Sequence, residues 1–196
     1  MNDNAPMAAT AKVSVSYGKI LIKALGEVEY TDPPSYAPNG LVAAHLNAAA
    51  IFTGVRDGYV TVTVWTSATA PSLEGARKWA NVEEVVFPVS LGDMRLFGFM
   101  SDAPTPDLPS LTPQGPGVYA LRVHASDRPR MGDVATDDPV EEYLVCSWPL
   151  TLGRDPAIEA AEELPDLTRP AVRAYRERLR ATDSAKPGRI HRPARP

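Results

Sequence analysis

Only one cysteine, Cys146, occurs in the 196 residues, so no intramolecular disulfide can brace the fold. A core held by packing alone is the expectation, as in a reducing compartment, and the cytoplasm is the expected location. Histidine is nearly as scarce: His45, His124 and His191 are the only three, and none has a second His or Cys at a metal-ligand spacing. Neither a zinc site nor any other cofactor is expected on that basis. No apolar run approaches the about 20 residues of a membrane helix. Residues 1–10 hold Asp3 and no basic cluster ahead of an apolar stretch, so no secretory signal is expected.

Catalytic motifs are missing as well. Gly115-Pro116-Gly117 lacks both the spacing of a dinucleotide fingerprint and a following Lys-Ser/Thr pair, and a turn entering a strand accounts for it. There is no Gly-x-Ser-x-Gly elbow. Charged residues at 22% and hydrophobic residues at 44% describe an ordinary globular chain, long enough for one good core. The 20 prolines cluster at Pro33 to Pro38, Pro104 to Pro116 and Pro187 to Pro196.

What is present is mostly period-two patterning. Val60, Val62 and Val64 alternate with Thr61 and Thr63, the cleanest strand in the chain. Lys12 to Tyr17 and Ile20 to Leu25 read as an opening hairpin around Gly18, and Pro33, Pro34, Pro38 and Asn39-Gly40 mark a loop. Leu41 to Thr53 would suit a helix by its alanines and a strand by Val42, Ile51 and Phe52; two short extended pieces are the expectation. Val82 to Val89, Met94 to Phe99, Gly117 to Ala125 and Glu141 to Trp148 complete the strands, with Pro149 ending the last. About seven to nine short strands with no helix of crossover length between them predict a mainly β fold, an antiparallel β-sandwich over residues 12–150.

The flanks differ. Residues 1–11 are expected to be flexible. Asp155 caps a short helix from Pro156 to Glu163, and Thr168 caps Pro170 to Ala181, where Ala171, Tyr175 and Leu179 form a narrow apolar stripe. A helical extension over residues 151–181 and a disordered basic tail over 182–196 follow from this. The net charge of −4 hides a split. Residues 1–168 hold 11 Lys and Arg against 22 Asp and Glu, a balance of −11, whereas residues 169–196 hold nine against two, a balance of +7.

Three groups of residues carry what binding chemistry there is. Arg122 and His124 share one face of a strand and could meet Asp127 or Glu142 across the sheet, as a salt bridge or as a pocket for an anion or carboxylate. Asp127, Asp133, Asp137, Asp138, Glu141 and Glu142 offer enough oxygen for a hard cation, but they lack an EF-hand spacing and enclose Arg128 and Arg130, which favours a solvated loop. Arg173, Arg176 and Arg180 would let the tail serve as a solubility segment, a clasp on the acidic body, or a nucleic-acid arm. Cys146, on the side shared with Leu144 and Trp148, reads as a small buried hydrophobe.

The stretch from Gly115 through Tyr119, Arg122 and His124 to Ala125, followed by Glu141 to Pro149, resembles a pattern in small uncharacterised proteins of actinobacteria. Those resemble compact β-sandwich proteins, some loosely similar to the competence-associated nuclease-inhibitor family. The resemblance covers about a third of the chain and implies no catalytic residue. A non-enzymatic protein-binding module is therefore the preferred expectation, an inhibitor or immunity-type partner of a basic protein. A nucleic-acid-associated accessory protein using the Arg-rich arm is the alternative, and an enzyme built on Arg122, His124 and the nearby acids comes third.

Overall fold

In the computed structural model, residues 7–25, 34–72, 79–126, 128, 135–136, 138–139 and 141–150 are described. Among these residues there are ten strands: β1 (Met7–Val15), β2 (Lys19–Ala24), β3 (Val42–His45), β4 (Ala48–Phe52), β5 (Asp57–Thr66), β6 (Asn81–Val89), β7 (Met94–Gly98), β8 (Gly117–Ala125), β9 (Ala135–Thr136) and β10 (Glu142–Pro149), with apolar alternation clearest in β5. They form two sheets. One runs β1-β5-β10-β8-β6, with β9 appended to β5; the other runs β3-β4-β2-β7.

The inner faces enclose one core. Val60, Val62 and Val64 of β5 are 0% exposed and pack with Val13 and Val15, Ile20 and Ile22, Ile51, Phe87, Leu96, Tyr119, Leu121, Val123, Tyr143 and Val145. Two hydroxyls carried into this core find acceptors, as buried phenols require. Tyr119 donates to the Gly115 carbonyl at 2.8 Å and Tyr143 to Glu141 at 2.5 Å.

The sandwich is closed at its corners. Asn47, in the left-handed region at φ 60°, turns β3 into β4. Its amide N–H donates to Pro88 O, and its Oδ1 accepts from the amides of Ser90 and Leu91, which ties that turn to the end of β6. At the opposite corner, Gly98 of β7 lies against Ser14 of β1, and a Cβ there would approach the Ser14 carbonyl oxygen to 2.9 Å. The proline-rich stretch after β7 folds back along that strand: the amides of Thr105 and Leu111 donate to Leu96 O and Met94 O at 2.8 Å each, and Leu108 and Leu111 enter the core.

The mainly β sandwich stands, with three differences from the sequence reading. Strand β1 begins at Met7, ahead of the expected Lys12. The opening hairpin is not a sheet pair: β1 pairs β5 and β2 pairs β4 and β7, joined only by the isolated bridge Ser16↔Lys19. The turn is tight, with Tyr17 at φ 53° and Gly18 at φ 66°, but the Gly18 amide donates to Arg56 O and the Tyr17 amide to Asp57, so the chain passes from one layer to the other. The larger sheet is mixed, because β10 enters between β8 and β5 antiparallel to the first and parallel to the second. Leu41 to Thr53 does form two short strands. The helices expected over residues 156–163 and 170–181 and the tail over 182–196 lie outside the described residues.

Candidate functional site

The outer face of the larger sheet carries the polar groups that the sequence singles out. Strand alternation sends Leu121, Val123 and Ala125 of β8 inward and Ala120, Arg122 and His124 outward. The register then places Cys146 of β10 on one side of Arg122 and Glu84 of β6 on the other. Above this row lie Val86, Ala120 and Trp148, with Trp65, Val118, Leu144 and Leu150 packed against them.

Arg122 is 1% exposed and Glu84 0%, and their Nε to Oε2 distance is 2.7 Å. Arg122 Nη1 donates to Pro71 O at 3.1 Å, and the guanidinium carbon sits 4.8 Å from the Trp148 ring centroid. The contact is single, not forked: Arg122 Nη2 and Glu84 Oε1 have no hydrogen-bond partner among the described residues. Burial pushes the Glu84 carboxyl above its ordinary range, against the charge and hydrogen bond of Arg122, which draw it down. His124 packs at 5.7 Å, centroid to centroid, from Trp79.

The carboxylate that Arg122 meets is thus Glu84 and not Glu142. Glu142, the first residue of β10, is exposed, and its main chain meets the residue that follows β8, through Ser126 N to Glu142 O at 2.9 Å and Glu142 N to Ser126 Oγ at 2.9 Å. Arg122 takes its carboxylate from the opposite neighbour, β6. Asp127, the other partner considered, lies outside the described residues, as do Arg173, Arg176 and Arg180. The sequence reading passed over Glu84 and Trp79; a carboxylate inside the Val82 to Val89 strand was the one signal of a buried ion pair.

The acidic loop is not uniformly solvated either. Glu141 is 0% exposed, and its Oε2 accepts from Tyr143 Oη and from the Gly54 amide at 3.1 Å. Arg128 Nη1 donates to the carbonyls of Gly40 and Phe52 at 2.8 Å each. These groups fasten the end of β10 to the loop before β5. Among the described residues no cluster of three or more His, Cys, Asp or Glu could hold a metal ion, and no helix is long and apolar enough to cross a membrane.

Cys146 has the packing expected of it. Burial pushes its thiol up to about 12, with the Arg122 charge opposing and the Glu84 charge adding to the shift. Because the thiolate is the reactive species, the native chain is expected to resist an aromatic disulfide reagent at about pH 8 and to react fully once unfolded in guanidinium. Rapid stoichiometric labelling of the folded protein would contradict this placement.

The arrangement serves a built scaffold: Arg122 holds Glu84, Glu141 holds Tyr143 and the Gly54 amide, and Arg122 and Arg128 reach main-chain carbonyls. No family model matches the chain, and no curated protein matches it. Among solved structures, that of crocagin biosynthetic gene J has 17% identity and a TM-score of 0.44, over 75% of this chain and 99% of its own. The crystal structure of ComJ from Bacillus subtilis, an inhibitor of the DNA-degrading activity of NucA, has 14% identity and a TM-score of 0.50, over 74% of this chain and 99% of its own. The sandwich described above is therefore similar in fold to a nuclease inhibitor, as residues 115–125 and 141–149 had led one to expect.

Proposed function

We propose that this chain is a non-enzymatic protein-binding module that inhibits a basic protein, with a nuclease as the target class. The fold it shares with an inhibitor of a DNA-degrading enzyme carries this reading. Two further observations support it. The balance of −11 over residues 1–168 suits a cationic target, since complementary fields speed encounter and favour correct register. Arg122, the cation an acid–base or anion-binding site would use, is buried and engaged with Glu84 and Pro71. Binding would take place in the cytoplasm, with the basic segment 169–196 helping to dock.

Titration tests the proposal directly. The full chain and a version ending at residue 168 are immobilised, and basic proteins retained at low salt from the source organism's lysate are assayed for DNA degradation with increasing free chain. The expected result is a nuclease whose activity falls to background at about one equivalent, with weaker inhibition as salt rises. Retention of nucleic acid alone, lost with residues 169–196, would instead favour the accessory-protein alternative. If no retained nuclease is inhibited by either version, the proposal fails.

A further inference from the structure

Each sheet has two edges, and three of the four are closed. The edge of β7 is bonded by Thr105 and Leu111. The edges of β3 and β6 lie against each other, tied by Asn47 N to Pro88 O, and Pro88 itself has no N–H to offer. The edge of β1 is different. Among the described residues no strand pairs with its far side, and only its end near Ser14 meets β7, at Gly98.

Exposed strand edges are ready templates for further pairing, and folded proteins blunt them with lysine and other charges, proline, bulges or short length. Strand β1 has one of these protections, a single lysine, and none of the others. Its nine residues, MAATAKVSV, contain no proline or glycine, and their register with β5 runs from Met7↔Thr66 to Val15↔Gly58 without a bulge. Its one charge, Lys12, lies on the outer face with its Nζ 4.2 Å from the centre of the Tyr59 ring. On the core-side row Met7 is 55% exposed, while Ala9 and Ala11 are only partly buried. This row is apolar surface left unfinished at the margin of the core.

We propose that β1 pairs with β1 of a second copy of this chain, antiparallel about a twofold axis at Thr10, so that the larger sheets of two molecules become continuous. The strand's own composition selects that occupant. With Thr10 opposite Thr10, Met7 falls opposite Val13 and Ala9 opposite Ala11, which completes the apolar row on both sides, and Lys12 falls opposite Ala8, so no like charges face each other. The interface is isologous, which makes it a closed dimer and not a growing fibre. This inference stands apart from the inhibitor reading and requires no nuclease.

Sedimentation velocity on the full chain across a concentration series tests it, with Thr10→Lys and Thr10→Glu as variants. Thr10 is exposed, and its side-chain hydroxyl bonds the Thr63 hydroxyl at 2.8 Å, outside the main-chain pairing, so both variants keep the β1–β5 ladder. The wild type should dimerise and each variant alone should dissociate about tenfold more readily or worse, because like charges then meet on the axis. An equimolar mixture of the two should restore the dimer, which a general loss of folding could not produce. Amide exchange supplies a readout that needs no variant: protection over residues 7–13 should rise with wild-type concentration. A wild type that stays monomeric with concentration-independent exchange overturns the proposal, as does a dimer that Thr10→Lys leaves intact. So does a dimer lost in both variants and not restored by mixing them.

Discussion

Arg122→Met is expected to lower the unfolding free energy by about 3–5 kcal/mol, the usual cost of removing one partner from a buried ion pair. Glu84 would be left as a carboxylate 0% exposed, on the sheet face that also carries Val86, Ala120 and Trp148. Glu84→Leu should cost a similar amount by stranding the guanidinium. The double variant should recover most of either loss, since replacing both charges by apolar groups is often nearly neutral; a residue of about 1–3 kcal/mol is expected from the Pro71 carbonyl left without its donor. The pH dependence has a definite sign. Burial already raises the Glu84 carboxyl in the folded state, and without Arg122 that rise grows. Stability of Arg122→Met should therefore fall as pH climbs from the unfolded carboxylate value through the raised folded one, and its deficit should shrink in acid, where Glu84 is neutral in both states. Guanidinium unfolding of the four proteins at two pH values measures all of this. Additive losses in the double variant would show that the pair is not coupled.

Gly98→Ala is expected to destabilise the chain, which reverses the usual sign of the change. In an ordinary strand, replacing glycine by alanine at a compatible backbone angle gains about 0.4–1 kcal/mol by restricting the unfolded chain. At this position the added carbon would overlap the Ser14 side chain and stand 2.9 Å from the Ser14 carbonyl oxygen. Overpacking of that kind costs about 1–3 kcal/mol, and Gly98→Val should cost more. Adding Ser14→Gly would clear the side-chain overlap and leave the carbonyl, so it should rescue Gly98→Ala only in part. A neutral or stabilised Gly98→Ala would mean that β1 and β7 are not in close contact.

Both effects depend on contacts between segments far apart in the chain, and neither can be read from local pattern. The strands themselves were legible because alternation reports burial directly. A β-branched residue every second position, as in Val60, Val62 and Val64, has only one arrangement that keeps it from water. Leu41 to Thr53 resolved into β3 and β4 for a related reason, since the Asn47 turn and the pairing of both strands outweigh the helix propensity of alanine.

Pairing was less accessible. Tyr17-Gly18 has the left-handed geometry of a tight turn, which locally predicts a hairpin, yet the two strands go to different sheets, β1 pairing along its length with β5 and β2 lying between β4 and β7. The polar face shows the same limit. Period-two spacing put Arg122 and His124 on one side of β8, but a strand has two neighbours, and only the sheet order makes β6 rather than the start of β10 the source of the carboxylate. Glu141 likewise looked like one of several loop acids until Tyr143 and Gly54 were brought to it.

Sequence alone determined that this chain builds layers of extended backbone, that Cys146 and Trp148 share a protected side, and that charge is divided between an acidic body and a basic end. These are properties of short windows and of totals, which tertiary contacts cannot undo. The tertiary structure decided which strands are neighbours, which carboxylate neutralises Arg122, and which sheet edge stays open at β1. Those outcomes are set by pairings between distant segments, where many registers satisfy the same alternation and only the closing of one common core selects among them.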